Sequence, residues 1–316
     1  MADATQAARK GYFKRGFIGC FSVLGVCLVL VTVWALITVA RGKQEVVRES
    51  DLLTHDIPQG NWIVPDTSEP PIVDAGQMGR VILDISLANF TIIPTSPGTP
   101  VRLDAHYNSG SYKLKETFAS SGELGWTYRL TFGKRSMFQF FHIDPDNRLE
   151  LYLPEGTPIV LEGQLGGGKS QLELGGLWIE SVDLEIGIGD HSIDFDKPLA
   201  VPMTRFEIDG SIGELRIRLL GNASPAHVRI DHSIGALYVD LRGAWQNDSD
   251  VFVDSSIGKC HVNLPAEGIG LELVGASITF GESDTRGARR RGEVPVGAPV
   301  VRLRVSHSLG ELRLTD

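Results

Sequence analysis

Residues 163–170, GQLGGGKS, satisfy the phosphate-binding pattern G-x-x-x-x-G-K-[ST] in full, with Gly163, Gly168, Lys169 and Ser170 at its fixed positions. Such a loop holds phosphates only when a helix follows, because successive amides and the helix N-terminus supply the donors. Here QLELGG follows, which alternates like a strand and breaks at Gly175 and Gly176. No nucleotide site is expected.

His191, His232, His261 and His307 raise metal chemistry, since repeated positions can stack into a ligand column. His232 and His307 stand three residues before a glycine, but Ser255 takes that place in the intervening unit. Solvent-facing turn histidines are expected, with no metal. Asp183, Asp194, Asp196, Asp209, Asp231, Asp240 and Asp254 recur near strands, and paired carboxylates can act as acid and base. In a repeat they are expected to form the solvated face of each unit. Cys260 occupies an apolar position and is expected to be a small buried hydrophobe. No enzyme, catalytic residue or cofactor is expected.

Two stretches remain as partner contacts. Phe132, Phe138, Phe140 and Phe141 cluster with Met137, Lys134 and Arg135, as a core strand or as a docking surface. Arg286, Arg289, Arg290 and Arg291 lie in the long loop 281–299 of an otherwise acidic region.

The elements that position these residues repeat. Gly168, Gly189, Gly213, Gly235 and Gly258 are spaced by 21, 24, 22 and 23 residues, and Gly310 follows 52 residues on, which leaves room for one further, longer unit. Apolar residues alternate on both sides of each glycine: Phe206 and Ile208 precede Gly213, and Leu215 and Ile217 follow it. Period two denotes strands with one buried face, and a repeat near 22 residues denotes stacked coils. The expectation is an all-β chain, a single β-solenoid of strand, tight turn and strand. Strands after Gly189, Gly213, Gly235 and Gly258 should stack in parallel, with Ile193, Ile217, Val239 and Val262 in one buried column.

Residues 16–40 are 25 positions without a charge. At about 1.5 Å per residue they reach across a bilayer core, so one N-terminal transmembrane α-helix is expected. Gly16, Gly19, Ser22 and Gly25 give it a stripe of small residues suited to close helix approach. Arg9, Lys10, Lys14 and Arg15 before it outnumber Arg41, Lys43 and Arg48 after it, so the N-terminus is expected in the cytoplasm. The chain carries a net charge of −9, and its first 15 residues hold four cations and one acid, so the remainder carries −12. Generic nucleic-acid binding is disfavoured. Residues 1–15 form a tail, 41–78 an extended linker with Pro58, Pro65, Pro70 and Pro71, 79–160 a capping part, and 161–316 the glycine repeats.

The segment LELYLPEGT from Leu149, the glycine repeats and HVNLPAEG from His261 together resemble the bacterial putative-adhesin or toast-rack family. The resemblance covers about residues 79–316. It implies a β-solenoid in a bacterial envelope protein, with relatives among cell-wall-active antibiotic response proteins, and it carries over no active site. The expected function is a non-enzymatic, single-pass scaffold or accessory subunit of a larger membrane or envelope assembly, such as a multi-subunit respiratory or photosynthetic complex. It would sit in the bacterial inner membrane with its C-terminal domain outside the cytoplasm, and its partners would be other membrane or envelope proteins. An envelope-stress sensor and an adhesin or glycan-binding protein are the alternatives.

Overall fold

A computed structural model describes residues 46–49, 54–55, 78–120, 125–135, 147–286 and 295–316. The described chain is all-β, with one 3-10 turn at Leu220–Asn222. Its centre is a stack of long strands: β9 (Pro158–Glu173), β10 (Trp178–Asp194), β11 (Arg205–Arg218), β12 (His227–Asp240), β13 (Ser249–Asn263), β14 (Gly270–Asp284) and β15 (Val300–Thr315). Neighbours pair in parallel and in register, glycine beside glycine from Gly168 to Gly258 and on to Gly310. Ile193, Ile217, Val239 and Val262 fall opposite one another and are buried. Parallel strands must bury an apolar face, and each coil supplies a layer of that column.

Each coil is one bent strand, not the expected strand, tight turn and strand. In β11 the inward residues are Phe206, Ile208 and Gly210 before the bend, and Leu215 and Ile217 after it. Inward parity therefore switches from even to odd across Gly213, and the pairing continues through the switch. Gly213 has φ 122° and Gly235 φ 132°, a region that side chains disfavour. A Cβ on Gly235 would also collide with the carbonyl oxygen of Gly213 on the coil below. Crowding between coils, together with φ, fixes glycine at this corner.

The N-terminal end of the stack divides into two sheets. β3 (Gly79–Ile85) lies on the first half of β9 and β4 (Asn89–Thr95) on the second, so the pair forms a split coil. β7 (Trp126–Lys134) continues below β3 in parallel, and β6 (Tyr112–Ser120) closes that side antiparallel. On the other side β8 (Arg148–Pro154) lies beside β4, and β5 (Val101–Asn108) beside β8 in antiparallel sense. β1 (Val46–Glu49) and β2 (Thr54–His55) pair antiparallel with β5. The stretch expected as a linker thus contributes two strands to this cap.

At the other end sequence order is broken: β15 sits between β13 and β14. β15 continues the apolar columns of β13 with Val301, Leu303, Val305, Leu312 and Leu314, all buried. β14 sets Ser283 against Leu312, so it cannot supply an interior layer after its glycine, Gly281. It is the outermost strand and carries the further unit for which the 52-residue gap leaves room.

Among the described residues no helix is long and apolar enough to cross a membrane. The membrane helix expected at residues 16–40, with Gly16, Gly19, Ser22 and Gly25, lies outside the described residues.

Candidate interaction surface

The corner of the stack inverts the usual distribution of polar and apolar groups. From Gly189 onward the residue just before the corner glycine is out of phase with both alternating pairs and points to solvent: Ile188, Ile212, Ile234, Ile257 and Leu309 are 42–61% exposed. Strand register places these side chains in one line, and β14 adds Phe280, 68% exposed, opposite Leu309. With neighbouring strands about 4.8 Å apart, five steps make an apolar ridge about 24 Å long.

An acidic row flanks the ridge on the side preceding the glycine. Glu185, Asp209, Asp231 and Asp254 pair in register, and Ser306 continues the line. Arg229 Nε donates to Asp231 at 2.7 Å, and Ser306 Oγ donates to Asp254 at 3.0 Å. A shallow recess of about 170 Å³ opens where Gly166 and Gly187 lack side chains, and Glu185 and Asp209 line it. The far side is balanced by contrast. Glu214 pairs with Arg216 and Glu311 with Arg313, and the next charged row joins Arg218 to Asp194 at 3.0 Å.

Inside the same corner the buried residues are polar. His232, Ser255 and His307 follow one another in register and are at most 4% exposed, while His191 is buried beside Ser170. His191, His232 and His307 are therefore core groups, not the solvent-facing turn residues expected, whereas His261 lies on the outward side of β13, partly exposed. The strand does not stop to turn at that position, so three residues before the glycine is still an inward place. His307 Nδ1–H donates to the Ser255 carbonyl at 3.0 Å, and Ser170 Oγ lies 2.7 Å from His191 Nδ1. Burial pulls the His191 pKa down to about 4, against the opposing charge of Asp190, and lowers that of His232. Among the described residues no group of three or more potential ligands is placed to hold a metal ion.

The phosphate-loop residues lie within β9, which runs on as strand to Glu173. Lys169 is exposed, and Ser170 is turned into the core toward His191. Cys260 is fully buried, and burial pushes its thiol up to about 12. The recurring acids are not uniformly solvated: Asp240 is buried and held by Arg242 at 2.6 Å, and burial raises the Asp194 pKa. Phe132, expected as a partner contact, is 1% exposed and stacks on Tyr112 with ring centroids 5.2 Å apart. It is a core residue, because it is inward in the alternation of β7. Phe138, Phe140 and Phe141 lie outside the described residues, as do Arg289, Arg290 and Arg291. Arg286 is exposed but committed: it binds Asp284 at 2.5 Å and holds that carboxyl well below the usual range.

Sequence reasoning missed the ridge. The signal was present in the repeated Ser-Ile-Gly and Ser-Leu-Gly triplets, whose middle residue belongs to neither alternating pair.

No curated protein matches the chain significantly. Among solved structures it is similar to a putative cell adhesion protein from Clostridium sporogenes, at 12% identity and a TM-score of 0.35 over 77% of this chain and 94% of that one. Residues 66–218 match the model of the N-terminal domain of toast_rack, DUF2154. That match spans just under half of the chain and agrees with the toast-rack resemblance carried by its repeats.

Proposed function

We propose that the chain is a non-enzymatic scaffold or accessory subunit, anchored by residues 16–40 in a bacterial inner membrane, whose outer β-solenoid docks onto other membrane or envelope proteins. The observation that carries this reading is the aligned ridge from Ile188 to Phe280. Scattered exposed apolar residues are ordinary on protein surfaces, whereas a contiguous row marks a contact. Six adjacent strands place one such residue each at the same corner, on a body whose interior columns are apolar and buried. That is the design of a rigid docking edge. The strongly acidic remainder of the chain favours protein partners over nucleic acid.

The test is purification of the full-length chain from its native membrane in mild detergent, beside the variant Ile212→Asn with Ile234→Asn. A stoichiometric membrane partner retained by the parent chain and lost by the variant supports the scaffold. Recovery of a kinase alone would favour an envelope-stress sensor. Glycan-array binding without a protein partner would favour an adhesin.

A further inference from the structure

We infer that the ridge receives an amphipathic α-helix of a partner protein, about 16 residues long, with its basic residues concentrated on one flank. This rests on the docking reading above and adds the chemistry of the partner. Three features of the corner select that occupant.

Spacing comes first. The ridge offers one apolar side chain about every 4.8 Å along the stack axis, crossing the strands at right angles. A helix lying on it presents a side chain from its apolar stripe about once per 5.4 Å turn, through residues at i, i+4, i+7 and i+11. An extended strand repeats its same-side residues at roughly 6.8 Å and falls out of step after two coils. At about 1.5 Å per residue, 16 residues cover the 24 Å from Ile188 to Phe280.

Charge comes second. Glu185, Asp209, Asp231 and Asp254 form a continuous acidic row on one flank, and of these only Asp231 pairs with a described cation, Arg229. On the other flank Asp190, Glu214, Ala236, Lys259, Glu311 and Glu282 follow one another; Glu214 and Glu311 are paired with Arg216 and Arg313, Lys259 brings a positive charge, and only the two end residues, Asp190 and Glu282, have no ion pair among the described residues. The unbroken run of acids along the ridge is therefore on one side. Two copies of this chain joined ridge to ridge would bring two strongly acidic bodies together, and an anionic bilayer would meet the same repulsion, so neither suits the surface.

Shape comes third. The 170 Å³ recess at the Ile188 end has Glu185 and Asp209 at its wall and glycines at its floor. It has the room and the charge for one lysine or arginine head, which fixes where along the ridge the helix begins.

The experiment uses full-length chain in phosphatidylcholine nanodiscs, with empty discs as the blank. The probe is a fluorescent 16-residue peptide with leucines at helix spacing and lysines along one flank, read by anisotropy. Binding above the blank should weaken at least tenfold for Ile212→Ser with Ile234→Ser. It should weaken at least threefold for Glu185→Gln with Asp209→Asn, exposed changes that leave the columns untouched. A matched peptide with glutamates for lysines should bind at least tenfold less. Equal binding of the two peptides, binding unaltered in both variants, or ridge-dependent capture by phosphatidylglycerol vesicles in preference to the peptide would overturn the inference. If the probe fails while the native partner still depends on Ile212 and Ile234, the scaffold stands and the basic helix falls. If the probe binds as expected while no native partner is recovered, the helix site stands and the scaffold falls.

Discussion

The flat faces of the stack and its glycine corner obey opposite rules. On the faces, Val228, Ile230, Leu237 and Val239 point inward and are buried, while Arg229, Asp231 and Tyr238 between them are charged or polar and reach water. At the corner of the same strand, His232 is buried and Ile234 is exposed. Both corner placements cost folding free energy, the first by desolvating an imidazole and the second by leaving apolar area in water. A feature repeated against stability over several coils is one that packing does not explain. The faces make the fold, and the corner holds the contact.

The comparison is broken most severely at the glycine. Gly235→Val combines a φ of 132° with a collision against the coil below, so it should cost more than about 3 kcal/mol and abolish a cooperative thermal transition near the parent midpoint. Circular dichroism melting reads this directly. A midpoint within a few degrees of the parent would show that the corner tolerates a side chain.

Next in size is a face. Leu237→Ala removes a fully buried side chain from the column Leu215, Leu237, Cys260 and should cost about 2–5 kcal/mol in denaturant unfolding. If it costs no more than an exposed substitution, the columns are not the source of stability.

Acid addresses the polar interior of the corner. His191 and His232 have folded pKa values below the unfolded 6.5, so the unfolded chain binds more protons as pH falls. Their contribution is complete above about 6.5 and is lost as pH falls below it, for His191 down to about 4, with His232 acting in the same direction. The melting midpoint should fall across that window, and His232→Leu should flatten the slope. A midpoint independent of pH between 6.5 and 4 would mean that these imidazoles do not resist protonation.

The smallest effect on stability belongs to the ridge. Ile234→Ser exposes no new core and should shift unfolding by less than about 0.5 kcal/mol. A loss comparable to that of Leu237→Ala would make Ile234 a packing residue and dissolve the contrast.

The faces were legible in the sequence because alternation and burial coincide there: Ile193, Ile217, Val239 and Val262 needed only period two and the spacing of the glycines. The corner was not, because a Ser, an Ile and a Gly preceded by a histidine have the composition of a solvated turn. Pairing with the adjacent coils carries the strand through that segment, which sends His232 inward and Ile234 outward. Repetition also gives the number of coils but not their order in space. That β15 enters between β13 and β14 depends on which strand can fill both halves of an interior layer, and Ser283 disqualifies β14. The part before β9 was read as capping strands, yet its split into two sheets depends on long-range pairings that no local pattern encodes.

Hydrogen–deuterium exchange on the full-length chain, free and in its native assembly, tests the division of labour most directly. Added protection should fall in the peptides that carry the corner, around residues 185–190, 209–214, 231–236, 254–259, 306–311 and 277–282, with little change on the faces. Protection confined to the faces, or no difference at the corner between free and assembled chain, would contradict the account.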